Sequence, residues 1–403
     1  MKKILVWLSG GVDSAVAAYL LKEQWYEVVA GFMKNYVDEE NPNCSTYKDA
    51  SEAIKVAKFL WIDILSFDLR QEYEDKIIKY IYDWYQKWIT PNPDILCNTL
   101  IKFDVFLDKA LEAGFDWIAT GHYARIEKQP LTPISSGSSP NRWKPLHHFV
   151  VPLSYQRGNF SPDRGSGEAE GVAKQDSSAK ASEWHENVKY KLLRWVDYNK
   201  DQTYFLSWLN QYQLSKSLFP IGWMTKPEVR ELAKKVWLPN AERSDSQWLC
   251  FVWKVPMRTF LKKRLPEKKG DIVLMDGTKV WEHDWAYFFT IWQSRGLDIN
   301  KKAFVVKIDV EKNLVYVSYD KYEPELITKH IEVKNWHWIG QEYKLPLECS
   351  TKIRYRQEPN PSTMETKDWK IFFSYDQDQR WVAKWQSVVA YLWDECLWWG
   401  VIE

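Results

Sequence analysis

The stretch ILVWLSGGVDS, residues 4–14, decides the fold. Its first five residues are apolar and predict a buried strand, and the pattern of residues 15–24 predicts a helix. Between these two elements, Gly10 and Gly11 allow a tight turn that brings the backbone close to a bound group. The backbone N–H groups that follow, together with the start of the helix, attract a phosphate. The loop therefore has the features of a phosphate-binding turn in an α/β protein.

The polar side chains of this loop fit the same interpretation. Ser9 and Ser14 offer hydroxyl donors, and Asp13 offers a carboxylate that can help to hold a magnesium ion. The loop lacks the Gly-Lys-Ser/Thr ending of a Walker A motif, so we do not expect phosphoryl transfer of the kinase type. An ordinary strand-to-helix turn is the alternative, and the position directly after the first strand favours phosphate binding.

Strand and helix patterns alternate through the first 125 or so residues. Short apolar runs predict further strands, and amphipathic segments predict helices between them. The strands are expected at 27–33, 62–67 and 117–120, and the helices at 47–60, 72–86 and 99–113. This alternation predicts a doubly wound parallel sheet, which binds ligands at the carboxyl ends of its strands.

The rest of the chain divides into three parts. Residues 128–186 are rich in Ser, Gly, Pro and charge, which predicts a disordered insertion. Helical patterns run from 202 to 264, and short β-type runs follow from 270 onward and predict a small antiparallel barrel. We therefore expect a doubly wound α/β domain at 1–205, a small, mostly helical domain at 206–275 and a C-terminal antiparallel β-barrel at 276–403.

Composition restricts the class of protein. The net charge of +1 provides no overall attraction to nucleic acid, so RNA binding would need a local basic face. No apolar run reaches the ~20 residues that cross a bilayer, and the first one is too short for a signal peptide. The five cysteines are scattered without CxxC spacing, which argues against a zinc site or a disulfide framework. We expect a cytoplasmic protein, with no membrane association.

Two of the cysteines lie in segments that favour thiol chemistry. Cys97 follows Pro93 and Asp94 near a loop-to-helix junction, where we expect it to be exposed and its thiolate to be stabilised. Asp94 lies three residues earlier, within reach as an acid or base. Cys250 also follows a polar, turn-like segment. Burial as a small apolar side chain is the usual state of one cysteine, but two in such settings favour chemistry. For Cys44, Cys349 and Cys396 we favour a structural role.

Several motifs in one order resemble the tRNA-specific 2-thiouridylase family of the PP-loop ATPase superfamily. The resemblance covers nearly the whole chain except the insertion, and it implies that the domain at 1–205 is a PP-loop adenylation domain and that the domain at 206–275 binds tRNA. The matching segments are Ser9–Ser14, Asn92–Asn98, Thr120–Ala124, Asn199–Leu206, Phe219–Gly222 and Ser244–Phe251, with weaker matches at Gln293–Leu297 and Arg354–Gln357.

The resemblance implies a mechanism. ATP would adenylate the C2 oxygen of the wobble uridine of a tRNA, and a persulfide on Cys250 would deliver the sulfur, releasing AMP. Cys97 would assist and then form a disulfide with Cys250, and Asp94 would be the general acid/base. The sulfur would come from a sulfur-relay protein or a cysteine desulfurase. We expect the enzyme to be a monomer.

The resemblance also implies two sets of binding residues. The expected ATP-binding residues, with Asp13 also near magnesium, are Ser9, Gly10, Gly11, Val12, Asp13, Ser14, Met33 and Gly121. The expected tRNA-binding residues are Asn92, Pro93, Asp94, His122, Lys200, Asp201, Gln202, Arg354, Tyr355 and Gln386. Taken alone, His122 would be interpreted as a core histidine, and Lys200 and Arg354 as solvated charges.

Tryptophan is unusually frequent. The chain has 25 Trp and only 16 Gly, although glycine averages about 7% of residues. At fifteen positions tryptophan stands where the family pattern has glycine: Trp7, Trp25, Trp61, Trp88, Trp195, Trp237, Trp248, Trp253, Trp281, Trp285, Trp292, Trp385, Trp393, Trp398 and Trp399. Our hypothesis is that the natural host reads UGA codons as glycine, as some bacterial lineages do. The alternatives are another PP-loop adenylating enzyme or, if the tryptophans are genuine, a tRNA-binding pseudoenzyme.

Overall fold

The computed structural model describes residues 1–37, 46–87, 89, 91–130, 188–244, 257–309, 311–380 and 382–403. The predicted insertion falls almost entirely outside these ranges. Only its first three residues, 128–130, are described, and they end a strand rather than begin a disordered segment. Cys44, Trp88, Trp248, Cys250 and Trp253 also lie outside the described residues.

A five-stranded parallel sheet forms the centre of the first domain. The first seven strands are β1 (Lys3–Trp7), β2 (Glu27–Lys34), β3 (Ile64–Asp68), β4 (Trp117–Ala119), β5 (Arg125–Pro130), β6 (Val188–Leu193) and β7 (Ser217–Leu218). The parallel sheet has the order β3-β2-β1-β4-β7. The predicted doubly wound sheet is confirmed, because strands 2 and 4 flank strand 1 in parallel register.

Helices cover both faces of this sheet. They are α1 (Val12–Glu23), α2 (Thr46–Leu60), α3 (Arg70–Tyr73), α4 (Lys79–Gln86), α5 (Pro93–Leu96), α6 (Phe106–Glu112), α7 (Thr203–Leu206), α8 (Gln211–Ser215), α9 (Lys226–Lys235) and α10 (Met257–Lys262). π-Helical segments at Glu74–Ile78 and Cys97–Val105 join α3 to α4 and α5 to α6.

The alternation of side chains along β1 explains why two cores form. Leu5 and Trp7 belong to the core under α3–α6, whereas Ile4 and Val6 belong to the core under α1, α2 and α9. Successive side chains of a strand point to opposite faces, so an uninterrupted apolar run is buried on both sides.

The β-type runs after residue 270 form two sheets rather than one. The strands are β8 (Gly270–Leu274), β9 (Lys279–His283), β10 (Phe304–Asp309), β11 (Leu314–Ser318), β12 (Ile327–Trp338), β13 (Leu347–Lys352), β14 (Asn360–Lys367), β15 (Lys370–Arg380), β16 (Ser387–Leu392) and β17 (Glu395–Ile402). Strands β8–β11 make a four-stranded sheet in the order β10-β11-β8-β9.

Strands β12–β17 form the predicted antiparallel barrel. Their order is β12-β15-β14-β13-β16-β17, and β17 pairs back with β12 to close it. The β5–β6 hairpin extends the same sheet, with Leu193 opposite Glu395 and Leu192 opposite Cys396. The first domain and the barrel therefore share a continuous sheet. Over the described residues, no helix is long and apolar enough to cross a membrane.

Candidate active site

Hydrogen bonds among its own residues fix the loop between β1 and α1. The Ser9 N–H donates to Ser14 Oγ over 3.2 Å, and Ser14 Oγ donates to the Gly11 carbonyl over 3.1 Å. Gly10 has φ +79°, a conformation that favours glycine. Gly11 precedes the first helical residue, Val12. The loop is thus held with the N-terminus of α1 at the carboxyl edge of the sheet.

The segment after β4 lies directly against this loop. A Cβ atom on Gly121 would stand 2.6 Å from the Ser14 nitrogen and 2.7 Å from the Asp13 carbonyl carbon. Such distances exclude any side chain, so only glycine allows this approach. Met33 is fully buried and lies near the end of the neighbouring strand β2. The structure therefore brings the expected ATP-binding residues to one edge of the sheet, at the ends of β1, β2 and β4.

The Asp13 side chain bonds to residues from outside the loop. Its Oδ1 accepts a hydrogen bond from the Tyr123 hydroxyl over 2.6 Å and one from Lys226 Nζ over 2.6 Å. Lys226 comes from α9, 213 positions along the chain. The sequence contained no signal that would have identified it.

A second group of residues holds the loop from the other side. Asn240 Nδ2 and Arg243 Nη1 each donate to the Gly10 carbonyl over 2.9 Å, and Arg243 also pairs with Asp49 on α2. Arg230 on α9 donates to the carbonyls of Ala241 and Arg243. The segment that leads into Ser244–Phe251 is thus anchored on the phosphate loop. Sequence reasoning missed this connection as well.

Asn35 is a further residue that the sequence did not identify. It lies two positions after Met33 and is 1% exposed, and neither polar atom of its amide has a hydrogen-bond partner among the residues that the structure describes. Buried amides normally have partners, so an orphaned amide beside the expected nucleotide site is consistent with a ligand contact.

Trp7 fills the space at the end of β1. Its ring centroid lies 4.4 Å from Lys102 Nζ and 6.4 Å from the His122 ring centroid. The indole N–H is buried and has no hydrogen-bond partner in the described part of the chain, and a buried donor left unpaired costs about 1–3 kcal/mol. A glycine at this position would leave a space between Lys102 and His122.

His122 is part of a buried aromatic group. Its Nδ1 lies 2.7 Å from Thr120 Oγ1, and its ring contacts those of Phe103 and Phe219. Burial, with a smaller contribution from the Lys102 charge, holds the pKa of His122 well below its ordinary value, so the ring is neutral. This position agrees with the interpretation of His122 as a core histidine, and its contact with tRNA stays a prediction.

Cys97 is buried, so our expectation that it would be exposed is wrong. It is 2% exposed. The prolines do not isolate it in a turn, because α5 begins at Pro93 and continues without a break into the π-helical segment that starts at Cys97. The side chain therefore falls on the buried face of a continuous helix. π-Helical segments are frequent at functional sites.

Asp94 lies where the first domain meets the barrel. Asn98 Nδ2 donates to the Phe205 carbonyl over 3.2 Å, and the Phe205 ring lies 4.3 Å from that of Tyr355. Burial raises the pKa of Tyr355 to about 12, and Asp94 is among the nearby charges that add to this. Two groups of expected tRNA contacts, one around Asn92–Asp94 and one around Tyr355, therefore lie close together.

The remaining expected tRNA residues differ in exposure. Lys200 is exposed in a 3₁₀ turn, whereas Arg354 and Gln386 are half-buried. Gln202 accepts a hydrogen bond from the Tyr123 N–H over 2.8 Å. Asp201 is buried and pairs with Lys352 Nζ at 3.2 Å. In this arrangement Asp201 fixes the turn and does not face solvent.

The other described cysteines fit a structural role. Cys396 is buried in β17, and Cys349 is half-buried in β13. Burial raises the pKa of the Cys349 thiol to about 11 and that of Cys396 well above its ordinary value. Both are therefore protonated near neutral pH. Over the described residues, no group of three or more His, Cys, Asp or Glu side chains is placed to hold a metal ion.

Family models match most of the chain. The HUP domain described as "tRNA methyl transferase HUP domain" matches residues 2–143 and 173–254. The "tRNA methyl transferase PRC-barrel domain" matches 258–319, and the "Aminomethyltransferase beta-barrel domain" matches 328–402. The three matches follow the order of the parallel sheet, the four-stranded sheet and the closed barrel.

Curated relatives match over the full length. The tRNA-specific 2-thiouridylase MnmA of Flavobacterium johnsoniae is 34% identical, covering 100% of both chains. The chain belongs to the tRNA-specific 2-thiouridylase family. The MnmA of Bacillus subtilis is 36% identical over 100% of this chain and 95% of that protein. The 2-thiouridylase resemblance found in the motifs is thereby confirmed.

Solved structures add little. The U34-tRNA thiolase NcsA from Methanococcus maripaludis aligns with a TM-score of 0.24 and 23% identity, over 30% of this chain and 38% of that one. So low a TM-score carries no argument about this 2-thiouridylase-family chain.

Proposed function

We propose that this protein is a tRNA sulfurtransferase that replaces the C2 oxygen of a wobble uridine with sulfur at the expense of ATP. One observation carries the proposal. The Ser9–Ser14 loop, with Gly121 packed against it, places a helix N-terminus at the edge of the sheet, where an anion would bind, in a chain that aligns from end to end with 2-thiouridylases. The uridine oxygen is a poor leaving group, and adenylation by ATP would make it a good one.

The residues at the sheet edge fit ATP. The α1 N-terminus and the hydroxyls of Ser9 and Ser14 would bind its phosphates, because both present hydrogen-bond donors to an anion. The bare backbone of Gly121 would let the nucleotide approach closely. Asp13 Oδ2 accepts no hydrogen bond from the described residues, and this oxygen would face a magnesium ion on the phosphates.

The two cysteines would carry the sulfur. The terminal sulfur of a persulfide on Cys250 attacks C2 of the adenylated uridine, and AMP leaves with the former C2 oxygen. The Cys97 thiolate, its proton taken by Asp94, then attacks Cys250 Sγ. This step leaves the terminal sulfur on the uridine and forms a Cys97–Cys250 disulfide. A thiol reductant supplies two electrons to restore both thiols. Burial of Cys97 would keep water away from its own sulfur.

The proposal includes the partners. The exposed Lys200 would contact tRNA phosphates, and Tyr355 beside Asp94 would stack on a base turned out of the anticodon loop. The sulfur would come from a relay protein or a cysteine desulfurase. We also propose that the enzyme acts in the cytoplasm as a monomer.

Incubation with a tRNA transcript, ATP, magnesium, cysteine and a cysteine desulfurase tests the proposal, with 2-thiouridine measured by mass spectrometry of the digested RNA. We expect one AMP and one pyrophosphate for each 2-thiouridine. Cys97→Ser and Cys250→Ser should abolish product, whereas Cys349→Ser, in the barrel, should keep it. Full activity of both variants would point instead to a different PP-loop adenylating enzyme.

A tRNA-binding pseudoenzyme is the second candidate. The observation that favours it is the buried indole of Trp7, which fills the space between Lys102 and His122 beside the nucleotide loop. Tight tRNA binding without release of pyrophosphate by wild-type protein would support this candidate. Gain of pyrophosphate release in Trp7→Gly would then identify the indole as the obstruction.

A further inference from the structure

Lys226 occupies an unusual position for a lysine. Its Nζ lies 2.6 Å from Asp13 Oδ1, and its side chain is only 13% exposed. It is the first residue of α9, directly after the capping residue Thr225, whose backbone N–H and hydroxyl both donate to Glu228. The capped start of α9 therefore fixes the point from which the ammonium reaches the phosphate loop.

The ammonium lies in a region that is already positive. Asp13 is in the first turn of α1, where unpaired backbone N–H groups and the helix dipole give a positive potential. Nζ also lies 5.4 Å from the ring centroid of Tyr123, whose hydroxyl donates to the same Asp13 oxygen. The Asp13 carboxylate thus accepts from an ammonium and a hydroxyl directly at a helix N-terminus. The ammonium and the helix N-terminus would both attract a polyanion that enters this region.

We propose that Lys226 is a phosphate-binding residue of the ATP site, contributed by the middle part of the chain. In the nucleotide-bound protein its ammonium exchanges Asp13 for the β- and γ-phosphate oxygens. The Asp13 carboxylate is then available to magnesium. This inference rests on the proposed function, because it assumes that the loop binds ATP.

The neighbouring basic side chains have other tasks. Arg243 donates to the Gly10 carbonyl and pairs with Asp49, and Arg230 donates to the carbonyls of Ala241 and Arg243. These bonds hold backbone in place, and breaking them would release the loop. The carboxylate that holds Lys226 is the same group that a magnesium ion would engage, so this ion pair can be exchanged. Helix α9 therefore completes a nucleotide site whose other parts lie at the ends of β1, β2 and β4.

Calorimetric titration of the full-length protein tests the inference, with MgATP and AMP as separate ligands. Lys226→Met should weaken MgATP binding at least ~10-fold, because a charge-assisted bond to phosphate is lost, and should change AMP binding less than ~2-fold. Lys226→Arg should retain most of the MgATP affinity. Lys234→Met is the matched control. It lies on the same helix, pairs with the exposed Glu242 and should bind both ligands like wild type.

The outcomes separate the inference from the proposed function. Unchanged MgATP binding in Lys226→Met would overturn the inference, and so would equal losses for MgATP and AMP, which indicate a structural role. Wild-type protein that binds no MgATP would overturn the proposed function. If Lys226→Met does not fold, Lys226→Gln takes its place, and MgATP binding at least ~10-fold weaker with wild-type affinity for AMP still supports the inference. Wild-type affinity for both ligands in Lys226→Gln would then refute it.

Discussion

Two kinds of helix C-terminus in this molecule have the same backbone conformation and differ in the residue that adopts the positive φ. After α6, Gly114 has φ +85°, its N–H donates to the Leu111 carbonyl, and the next N–H donates to Ala110. This is a Schellman motif, in which the left-handed residue is usually glycine. After α1, Trp25 has φ +61° and makes the same pair of bonds, to Lys22 and, through the next residue, to Leu21.

Two more helices end like α1. Trp61 after α2 has φ +52°, and Trp237 after α9 has φ +60°, each with both bonds of the motif. The three indoles are 84%, 89% and 82% exposed, so they bury almost nothing. The left-handed conformation costs a side-chain-bearing residue about 1–2 kcal/mol. The comparison shows that the backbone conformation at these positions favours glycine. The tryptophan side chain gains no packing that would offset its backbone strain.

The same preference extends beyond the helix ends. Eleven non-glycine residues of the described chain have positive φ, and seven of them are tryptophan. These seven are Trp25, Trp61, Trp237, Trp292, Trp369, Trp385 and Trp393. The other four are Asp or Asn, which tolerate this conformation. The pattern supports the hypothesis that the natural protein has glycine here, and it adds Trp369 to the positions suspected from sequence.

Not every suspected tryptophan has this signature. Trp195 is fully buried, its indole N–H donates to the Met224 carbonyl over 2.7 Å, and its ring lies 4.0 Å from that of Tyr123. It has no positive φ. At Trp195 the backbone does not call for glycine, so the hypothesis rests there on the family pattern alone.

The largest expected effect is that the natural protein has glycine in place of tryptophan at the helix ends. In protein purified from its natural host, we expect glycine at 25, 61 and 237 in every molecule, because the backbone favours it. Tandem mass spectrometry of tryptic peptides, including Ser244–Lys254 with positions 248 and 253, measures this. Position 117 is the internal control and should be tryptophan. Tryptophan at all of these positions would end the recoding hypothesis and would favour the pseudoenzyme.

The second largest effect is expected at a tryptophan whose side chain packs in the core. Trp117 lies in β4 and is 4% exposed. In the chain as printed, Trp117→Ala should lower the free energy of unfolding by about 3–5 kcal/mol, since it leaves a cavity in the core. Urea denaturation followed by circular dichroism gives the value. A loss below that of an exposed tryptophan would contradict the assignment of Trp117 to the core.

Replacing the three helix-end tryptophans should act in the opposite direction. Trp25→Gly, Trp61→Gly and Trp237→Gly combined should raise the free energy of unfolding by about 3 kcal/mol, because each removes left-handed strain and the sites are independent. The same denaturation experiment applies. Trp281→Gly is the control, because it lies within a strand without positive φ and should destabilise. Destabilisation by the triple variant would show that the indoles stabilise these ends.

The smallest effect is the reverse change. Gly114→Trp should lower the free energy of unfolding by about 1–2 kcal/mol, which is the cost of left-handed φ, because open space surrounds a Cβ at this position. Thermal melting followed by circular dichroism suffices, with Gly114→Asn as the control that tolerates positive φ. A Gly114→Trp protein as stable as wild type would contradict the conclusion that these helix ends favour glycine over tryptophan.

Local patterns predicted much of the fold. The apolar run of β1 and the helical spacing of α2 follow from periodicity, and both elements lie within one or two residues of the prediction. Helix α1 begins at Val12, three residues before the predicted start, because Gly11 already acts as its N-cap. The division of the later β-type runs into two sheets was not predictable, because strand pairing depends on contacts between distant residues.

The site was predicted as far as local motifs reach. The loop and Gly121 were identified from sequence, whereas the Lys226 partner of Asp13 and the side chains that donate to the Gly10 carbonyl come from α9 and the segment behind it, over 200 residues away. The exposure of Cys97 was misjudged because a proline-rich segment was expected to form a turn, and here it begins a helix. The position of Cys250 lies outside the described residues, so its pairing with Cys97 stays a prediction.

The β5–β6 hairpin has a consequence for how the chain can be divided. The predicted boundary near residue 205 separates β6 from β17, although the two strands are hydrogen-bonded neighbours. Cutting the chain there would leave β6 with an unpaired edge in one fragment and β17 with an unpaired edge in the other. This strand pairing thus joins the first domain to the barrel. If one of them moves at this junction, the other moves with it, so the tRNA contacts expected on the barrel keep a fixed orientation relative to the nucleotide loop.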